Sequence, residues 1–281
     1  MGRLTARTRV ARIAADGALA RREDLLAVEE PLELRVGGRA LSVTMRTPGH
    51  DQELAAGFLV SEGVVAAPGQ IARMIHCASP DGENTFNVLD VTLAPGVPAP
   101  DASLERHVYT TSSCGVCGKA SIDAVRTRSA FPLTAGDPLV RSSLVAALPD
   151  RLREAQEIFE RTGGLHAAGL FDAATGEPLV IREDVGRHNA VDKVLGWAYL
   201  AGMLPLSGAI LQVSGRASFE LVQKASMAGV PILSAVSAPS SLAVELARDA
   251  GLTLAGFVRG GAMVAYSGLE RLRVESEALV P

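Results

Sequence analysis

What the sequence lacks narrows the field first. No apolar run reaches the roughly 18 residues that a membrane span needs. Residues 1–20 carry charge without a continuous apolar stretch before a cleavage site, so no signal peptide is expected and the cytoplasm is the expected compartment. There are only three cysteines, Cys77, Cys114 and Cys117, too few and too odd in number for a secreted disulfide framework. Basic excess is missing: the formal net charge is −4. That argues against broad nucleic-acid binding and leaves room for a local basic pocket around one anionic ligand. Neither a GxGxxG fingerprint nor a GxxxxGK[ST] phosphate loop occurs, and there is no internal repeat or low-complexity tract. What is present is a 48% hydrophobic composition over 281 residues, enough for a large core and against disorder.

The first part reads as mostly β. Leu32, Leu34 and Val36 alternate, Gly37-Gly38 supplies a turn, and Leu41, Val43 and Met45 alternate in turn, which predicts a β-hairpin. After Pro48-Gly49, residues 51–62 predict a short amphipathic helix stopped by Gly63. Strands are expected over 71–78 and 86–93, then a proline-rich linker over 94–101. A division into a β-rich N-terminal subdomain, 1–100, and an α/β domain, 101–281, follows. In the second part a charged helix is expected over 149–161, with helices over 188–201, 218–227 and 240–250. Strands are expected over 167–172, 178–182, 209–213, 231–236, 252–258 and 262–266. Aliphatic strands alternating with helices predict an α/β sheet covered on both faces.

The cysteine pair carries the sharpest chemistry. It stands in Ser112-Ser113-Cys114-Gly115-Val116-Cys117-Gly118-Lys119. Ser112 and Ser113 suit the N-cap of a helix or turn, whose N–H groups stabilise a thiolate, and Lys119 adds positive charge. A thiol with a pKa of about 8.5 is only a few per cent ionised at neutral pH, so such assistance decides reactivity. The glycines leave the segment open to a large partner. A second thiol two residues on can resolve a persulfide by forming a disulfide. Two buried structural cysteines, a zinc site drawing on Cys77, His76 and His107, and a thioredoxin-like dithiol are the competing readings. Zinc lacks a second C-x-x-C, and the sole tryptophan, Trp197, is remote from the pair. Cys77, alone after His76 in an apolar run, reads as core.

Three strand-to-helix junctions suit an anion: Glu183-Asp184-Val185-Gly186-Arg187-His188-Asn189, Ser214-Gly215-Arg216-Ala217-Ser218 and Ser237-Ala238-Pro239-Ser240-Ser241. Small residues expose backbone N–H groups, hydroxyls cap, and Arg187 and Arg216 offer forked donors for phosphate. Singly, each is also ordinary capping, and Arg187 beside Glu183 and Asp184 also reads as an internal ion pair. A fourth candidate is Gly256-Phe257-Val258-Arg259-Gly260-Gly261-Ala262, a hairpin turn with an arginine beside it.

These segments resemble the FdhD family of formate dehydrogenase accessory proteins. The resemblance rests on residues 112–119, on 182–193 (Arg182 to Lys193), and on Ser214-Gly215-Arg216 with Ser218, Glu220 and Lys224. It extends through Gly229-Val230-Pro231, Ser237 to Ser241 and Gly256 to Gly260. Before Ala94 it is looser. The resemblance implies a sulfurtransferase. A cysteine desulfurase would pass persulfide sulfur to Cys114, with Cys117 as its partner thiol, for delivery to the bis-molybdopterin guanine dinucleotide form of the molybdenum cofactor used by formate dehydrogenase. It implies cofactor contacts at Phe257, Val258, Arg259, Gly260, Gly261 and Ala262. From the junctions, Ser214, Gly215, Arg216, Arg187 and Ser237 join them, and a GDP-like nucleotide would mimic the ligand. It also implies a homodimer and a three-layer α/β/α sandwich similar to the cytidine deaminase fold. Deaminase activity is disfavoured: no histidine is followed by x-Glu, and Ser113, not proline, precedes Cys114. The alternative function is a chaperone that binds the molybdenum cofactor without sulfur chemistry.

Overall fold

The structure is a computed structural model, which describes residues 4–78, 86–100, 129–134 and 137–274. Cys114 and Cys117 lie outside the described residues. The first elements are strands β1 (Thr5–Ile13), β2 (Leu19–Ala27), β3 (Glu30–Val36) and β4 (Arg39–Arg46), helix α1 (Asp51–Ser61), and strands β5 (Ile71–His76) and β6 (Val88–Leu93). A short β7 (Val140–Arg141) leads into helices α2 (Ser142–Glu154) and α3 (Glu157–Thr162). Then come β8 (His166–Asp172), β9 (Pro178–Asp184), α4 (Arg187–Leu200), β10 (Ala209–Val213), α5 (Phe219–Met227), β11 (Ile232–Ala235) and α6 (Ser241–Asp249). The chain closes with β12 (Thr253–Arg259), β13 (Ala262–Ser267) and β14 (Leu272–Arg273).

The main sheet has six strands in the order β13-β12-β11-β10-β8-β9. Strands β10, β11 and β12 are parallel, while β8 runs antiparallel to both β10 and β9. Hence β9 points the same way as β10, β11 and β12, and all four end on one edge. Period-two alternation sends neighbouring residues to opposite faces. Leu170, Leu211, Leu233 and Leu254 join a core with Val194 of α4, Leu221 of α5 and Ala243 of α6. Phe171, Ile210, Ile232 and Ala255, each one residue out of phase, join a second core with Leu144, Leu148 and Leu152 of α2. Both faces of the sheet are therefore covered by helices, as the aliphatic strands predict.

A four-stranded sheet, ordered β4-β3-β6-β5, carries the expected hairpin. Its Leu32, Leu34, Leu89 and Val91 share one continuous core with α1 and with the main sheet, so this core crosses position 100. Helix α1 is not amphipathic. It is wedged so tightly that Leu54, Ala55, Ala56, Gly57, Leu59 and Val60 are all buried, and it has no solvated face.

Two other elements differ from expectation. The helix foreseen over 149–161 is two helices, with Pro149 inside α2. A mid-helix proline costs about 3 kcal/mol, and the buried stripe of Leu144, Val145, Leu148 and Leu152 outweighs it. The break after Glu154 is fixed by Glu183, whose carboxylate accepts the N–H groups of Ile158 and Phe159 at 2.9 and 2.7 Å. The β1–β2 ribbon precedes every element the sequence predicts. Most of its residues are exposed and its charges interleave with apolar residues, so no period stands out.

Candidate functional site

The common direction of β9 to β12 brings the four sequence candidates to one edge. Gly215 faces Arg187 and His166: a Cβ built there would lie 4.0 Å from Arg187 Cδ and 3.6 Å from His166 Nδ1. His188 Nε2 lies 3.5 Å from Ser218 Oγ. The second and third junctions are tied by the Ser237 N–H donating to Gly215 O at 3.4 Å and by the Ser240 N–H donating to Ala217 O at 3.0 Å. The fourth is tied to the third by the Phe257 N–H, which donates to Ser237 O at 3.2 Å. Gly256 permits that approach, since a Cβ there would stand 3.0 Å from Pro239 Cδ.

Charge at this edge comes from arginine. Burial lowers the His166 pKa, and the nearby Arg187 guanidinium lowers it further. Burial, followed by Lys224 and Arg187, takes His188 down to about 3. Both imidazoles are thus neutral at pH 7 and serve as hydrogen-bonding groups. Arg216 and Arg259 are exposed. Phe257 holds a positive φ of 50° within a register shift of the β12–β13 pair, and is 38% exposed. A bulky residue in that region stores strain of about 1–3 kcal/mol, which collects at ligand-binding sites. The Arg259 guanidinium stands 5.8 Å from the Phe257 ring centroid. Gly260 and Gly261 form the turn and Ala262 pairs with Arg259. Val258 differs from its neighbours: it is fully buried against the α2 core, so its side chain does not face the edge.

On the α2 side of this edge lies a cleft of about 590 Å³. His166, Ser214, Val236 and Arg259 line it from the sheet, and Arg153, Gln156 and Phe159 line it from the corner between α2 and α3. The volume falls within the roughly 300–1,000 Å³ of small-molecule sites. Basic arginines, a hydroxyl and open backbone suit a phosphorylated ligand.

The 182–193 motif divides between this edge and the fold. Arg187 and His188 stand at the site. Asp184, Asn189 and Lys193 face inward. Lys193 Nζ pairs with Asp184 Oδ2 at 2.7 Å, while the Thr47 N–H and Asn189 Nδ2 donate to the same carboxylate at 3.1 and 3.0 Å. Asp192 accepts from Lys224 Nζ at 2.7 Å and from Ser61 Oγ at 2.8 Å. Glu183 caps α3 and Asp184 pairs with Lys193, so neither is the ion-pair partner the sequence suggests for Arg187.

Arg182 makes a forked pair with Glu53 at 2.6 and 2.8 Å. Burial raises the Glu53 pKa, but the bonds from Arg182 and His50 prevail and hold it at about 2, against an ordinary 4.5. A depressed folded-state pKa means stability that is present above pH 4.5 and lost as pH falls toward 2. An Arg182→Gln variant should therefore show a flatter urea midpoint than the parent across that window. Equal pH slopes would contradict the assignment.

The segment bearing Cys114 and Cys117 is not described, but its flanks are. Ahead of it, the Ala94 N–H donates to Gln70 O, and the Ile71 N–H donates to the hydroxyl of Tyr199 near the end of α4. Behind it, Ser129 Oγ donates to Ser226 O near the end of α5 at 2.7 Å, and the buried Arg271 donates to the carbonyls of Thr134 and Asp137. Helices α4 and α5 start at the edge carrying the junctions and run away from it. Both flanks therefore sit at the opposite edge. Cys77 follows β5 half-buried, its N–H donating to Val88 O, and is not a core residue. Among the described residues no three His, Cys, Asp or Glu side chains are grouped to hold a metal ion. No helix among them is long and apolar enough to cross a membrane.

Comparison with known proteins fits this picture. The FdhD/NarQ family model matches residues 27–273. The sulfur carrier protein FdhD of Streptomyces avermitilis is 58% identical over 281 residues, covering 99% of both chains. That of Mycobacterium tuberculosis is 55% identical over 278 residues, covering 97% of this chain and 100% of the other. A crystal structure assigned to a formate dehydrogenase accessory protein from Desulfotalea psychrophila superposes with a TM-score of 0.77 at 24% identity, over 96% of this chain and 100% of the other. At that identity it speaks for the fold.

Proposed function

Since the chain belongs to the FdhD/NarQ family, we propose that it is a sulfur carrier serving formate dehydrogenase, moving persulfide sulfur from a cysteine desulfurase to the molybdenum cofactor. The observation that supports this most is the meeting of Arg187, Gly215, Ser237 and the 257–262 hairpin on one edge. That edge suits a large phosphorylated cofactor, and the relatives' name supplies the sulfur chemistry. In the first step the Cys114 thiolate attacks the outer sulfur of the desulfurase persulfide. Its S–S bond breaks and the desulfurase thiolate leaves. In the second, the Cys117 thiolate attacks Cys114 Sγ, a Cys114–Cys117 disulfide forms, and the outer sulfur leaves as sulfide for the metal of the substrate. A thiol reductant then restores the pair. Arg187, Arg216 and Arg259 bind and orient, with no covalent part. A reducing cytoplasm suits free thiols. We also read the molecule as a homodimer, and the six-stranded sheet with helices on both faces as a cytidine deaminase-like sandwich.

A Cys114→Ala variant, supplied to cells lacking this chain, should leave formate dehydrogenase inactive while the variant accumulates and melts like the parent. Full activity would sink the proposal. One observation favours a second reading, cofactor escort without sulfur chemistry: the flanks of the cysteine segment and the anion-binding edge lie at opposite ends of the strands. Under that reading Cys114 is dispensable and nucleotide binding persists.

A further inference from the structure

The β1–β2 ribbon takes part in neither core, and its base is seated at the edge that carries the junctions. The Val28 N–H donates to Leu4 O at 3.0 Å, and Leu4 Cδ2 lies 3.9 Å from where a Cβ on Gly49 would stand. Two residues before Gly49, Thr47 bonds to Asp184 and Val185 of the first junction. On its other side β2 packs on α3, and Ala27 Cβ stands 3.9 Å from a Cβ built on Gly164, which belongs to the cleft wall. From that base the two nine-residue strands reach outward by roughly 25–30 Å, at about 3.3 Å per residue. Every residue from 11 to 23 is exposed, on both faces, so the outer half stands clear of the body.

The chemistry of that outer half describes its partner. Residues opposite each other in the ladder share a face. Ile13 and Leu19 are opposite at the tip, 70% and 61% exposed. Arg9 and Arg21 stand behind them on the same face, and Arg12 and Arg22 on the other. The ribbon's three carboxylates are engaged locally: Glu23 with Arg7 at 3.7 Å, Asp24 with Arg22 at 3.6 Å, and Asp16 with the Ala18 N–H of its own turn at 3.0 Å. Arg9, Arg12 and Arg21 make no ion pair with a described residue. Five arginines against three carboxylates make the ribbon basic in a chain of net charge −4. A two-stranded hairpin is marginal by itself in water, and an apolar pair held out at its tip is buried only against another molecule. Apolar anchors with unpaired arginines around them are the makeup of a protein interface. They complement an acidic surface with an apolar notch. The ribbon has no aromatic residue on which a base could stack, and its carboxylates interleave with its arginines, so nucleic acid fits it poorly.

We propose that the ribbon is a docking arm for the enzyme that receives the cofactor, with Arg9, Arg12 and Arg21 meeting an acidic surface of that enzyme and Ile13 and Leu19 inserting into it. The place of the base decides the partner. The arm rises from the edge where the junctions and the 257–262 hairpin meet, whereas the flanks of the cysteine segment lie at the opposite edge. A recipient of the cofactor approaches the first edge, and a sulfur donor approaches the second. The inference rests on the reading that the chain delivers sulfur to a cofactor used by formate dehydrogenase, and adds the surface that holds the recipient.

The test is biolayer interferometry of the immobilised full chain with cofactor-free formate dehydrogenase, for the parent, for Arg9→Glu/Arg12→Glu/Arg21→Glu together, and for Ile13→Ser/Leu19→Ser together. All six positions are exposed, so both variants should melt like the parent. The dissociation constant should rise about tenfold or more in each variant. The charge-reversed chain should also lose the parent's weakening of binding between low and physiological salt. Unchanged affinity in both variants, or no association of the parent with the enzyme, would overturn the arm. So would weaker binding of the desulfurase with the enzyme's affinity held, or release of a duplex oligonucleotide with that affinity held, since the arm would then serve another partner. Sulfur loading of Cys114, followed by intact mass, separates the two levels. Loading with unaltered enzyme binding in the variants removes the arm and leaves the carrier. No loading of the parent, with enzyme binding lost in the variants, removes the carrier and leaves the arm.

Discussion

A Lys193→Met substitution should destabilise the protein by about 3–5 kcal/mol, the cost of stranding one charge of a buried pair. Lys193 is 1% exposed and Asp184 is fully buried. The ammonium stands 2.7 Å from Asp184 Oδ2 and donates to the Thr47 carbonyl at 2.9 Å. Methionine matches its length and supplies neither charge nor proton. Asp184 would keep its N–H donors from Thr47, Gly186 and Asn189 but lose its only partner of opposite sign among the described residues. Domains have only about 5–15 kcal/mol to lose, so the denaturant midpoint should fall sharply. Adding Asp184→Asn should recover much of the loss, because the stranded charge is then gone. A loss under about 1 kcal/mol for Lys193→Met, typical of an exposed pair, would show that this lysine does not hold β4 and α4 together.

Alanine at Gly57 or Gly196 should be nearly as damaging. A Cβ at Gly57 would fall 1.8 Å from the carbonyl oxygen of Asp192, and one at Gly196 would fall 1.7 Å from that of Glu53. These obstacles are backbone, so no rotamer change relieves them and α1 must retreat from α4. Overpacking costs about 1–3 kcal/mol and at times more, whereas the gain in helix propensity is only about 1 kcal/mol. For contacts this short the clash prevails. A fall in melting temperature of about 6–12 °C is expected from a net loss near 3 kcal/mol in a chain of this size. Scanning calorimetry on either variant checks it, and a melting temperature within a degree of the parent would mean that the helices cross less closely.

Much of the α/β core was legible because its signals are local. The 209–213 strand matches β10, since five consecutive apolar or amide residues between turn signals leave little choice. Ser240 reads correctly as a cap: its Oγ accepts the Ala243 N–H at 3.2 Å. The convergence of the junctions was legible too, since helices returning between strands of one direction place their starts on one edge. What escaped depends on partners far along the chain. The division of the 182–193 motif into site and scaffold is set by Thr44, Met45 and Thr47, about 140 residues upstream. Helix α3 begins where it does because Glu183 reaches it from β9. Gln156 belongs to no motif, and only the fold at the α2–α3 corner buries it. Helix α1 looked amphipathic because alanine and glycine do not announce burial, although Ala55, Ala56 and Gly57 face neighbours as closely as leucine does.

Intact-protein mass spectrometry after incubation with a cysteine desulfurase and cysteine, on the parent and on Cys114→Ala, tests the central claim most directly. The sulfur-carrier account predicts an increase of one sulfur on the parent, removed by thiol reductant and absent from the variant. A well-folded parent that gains no sulfur, or a Cys114→Ala variant that gains it equally, would contradict it.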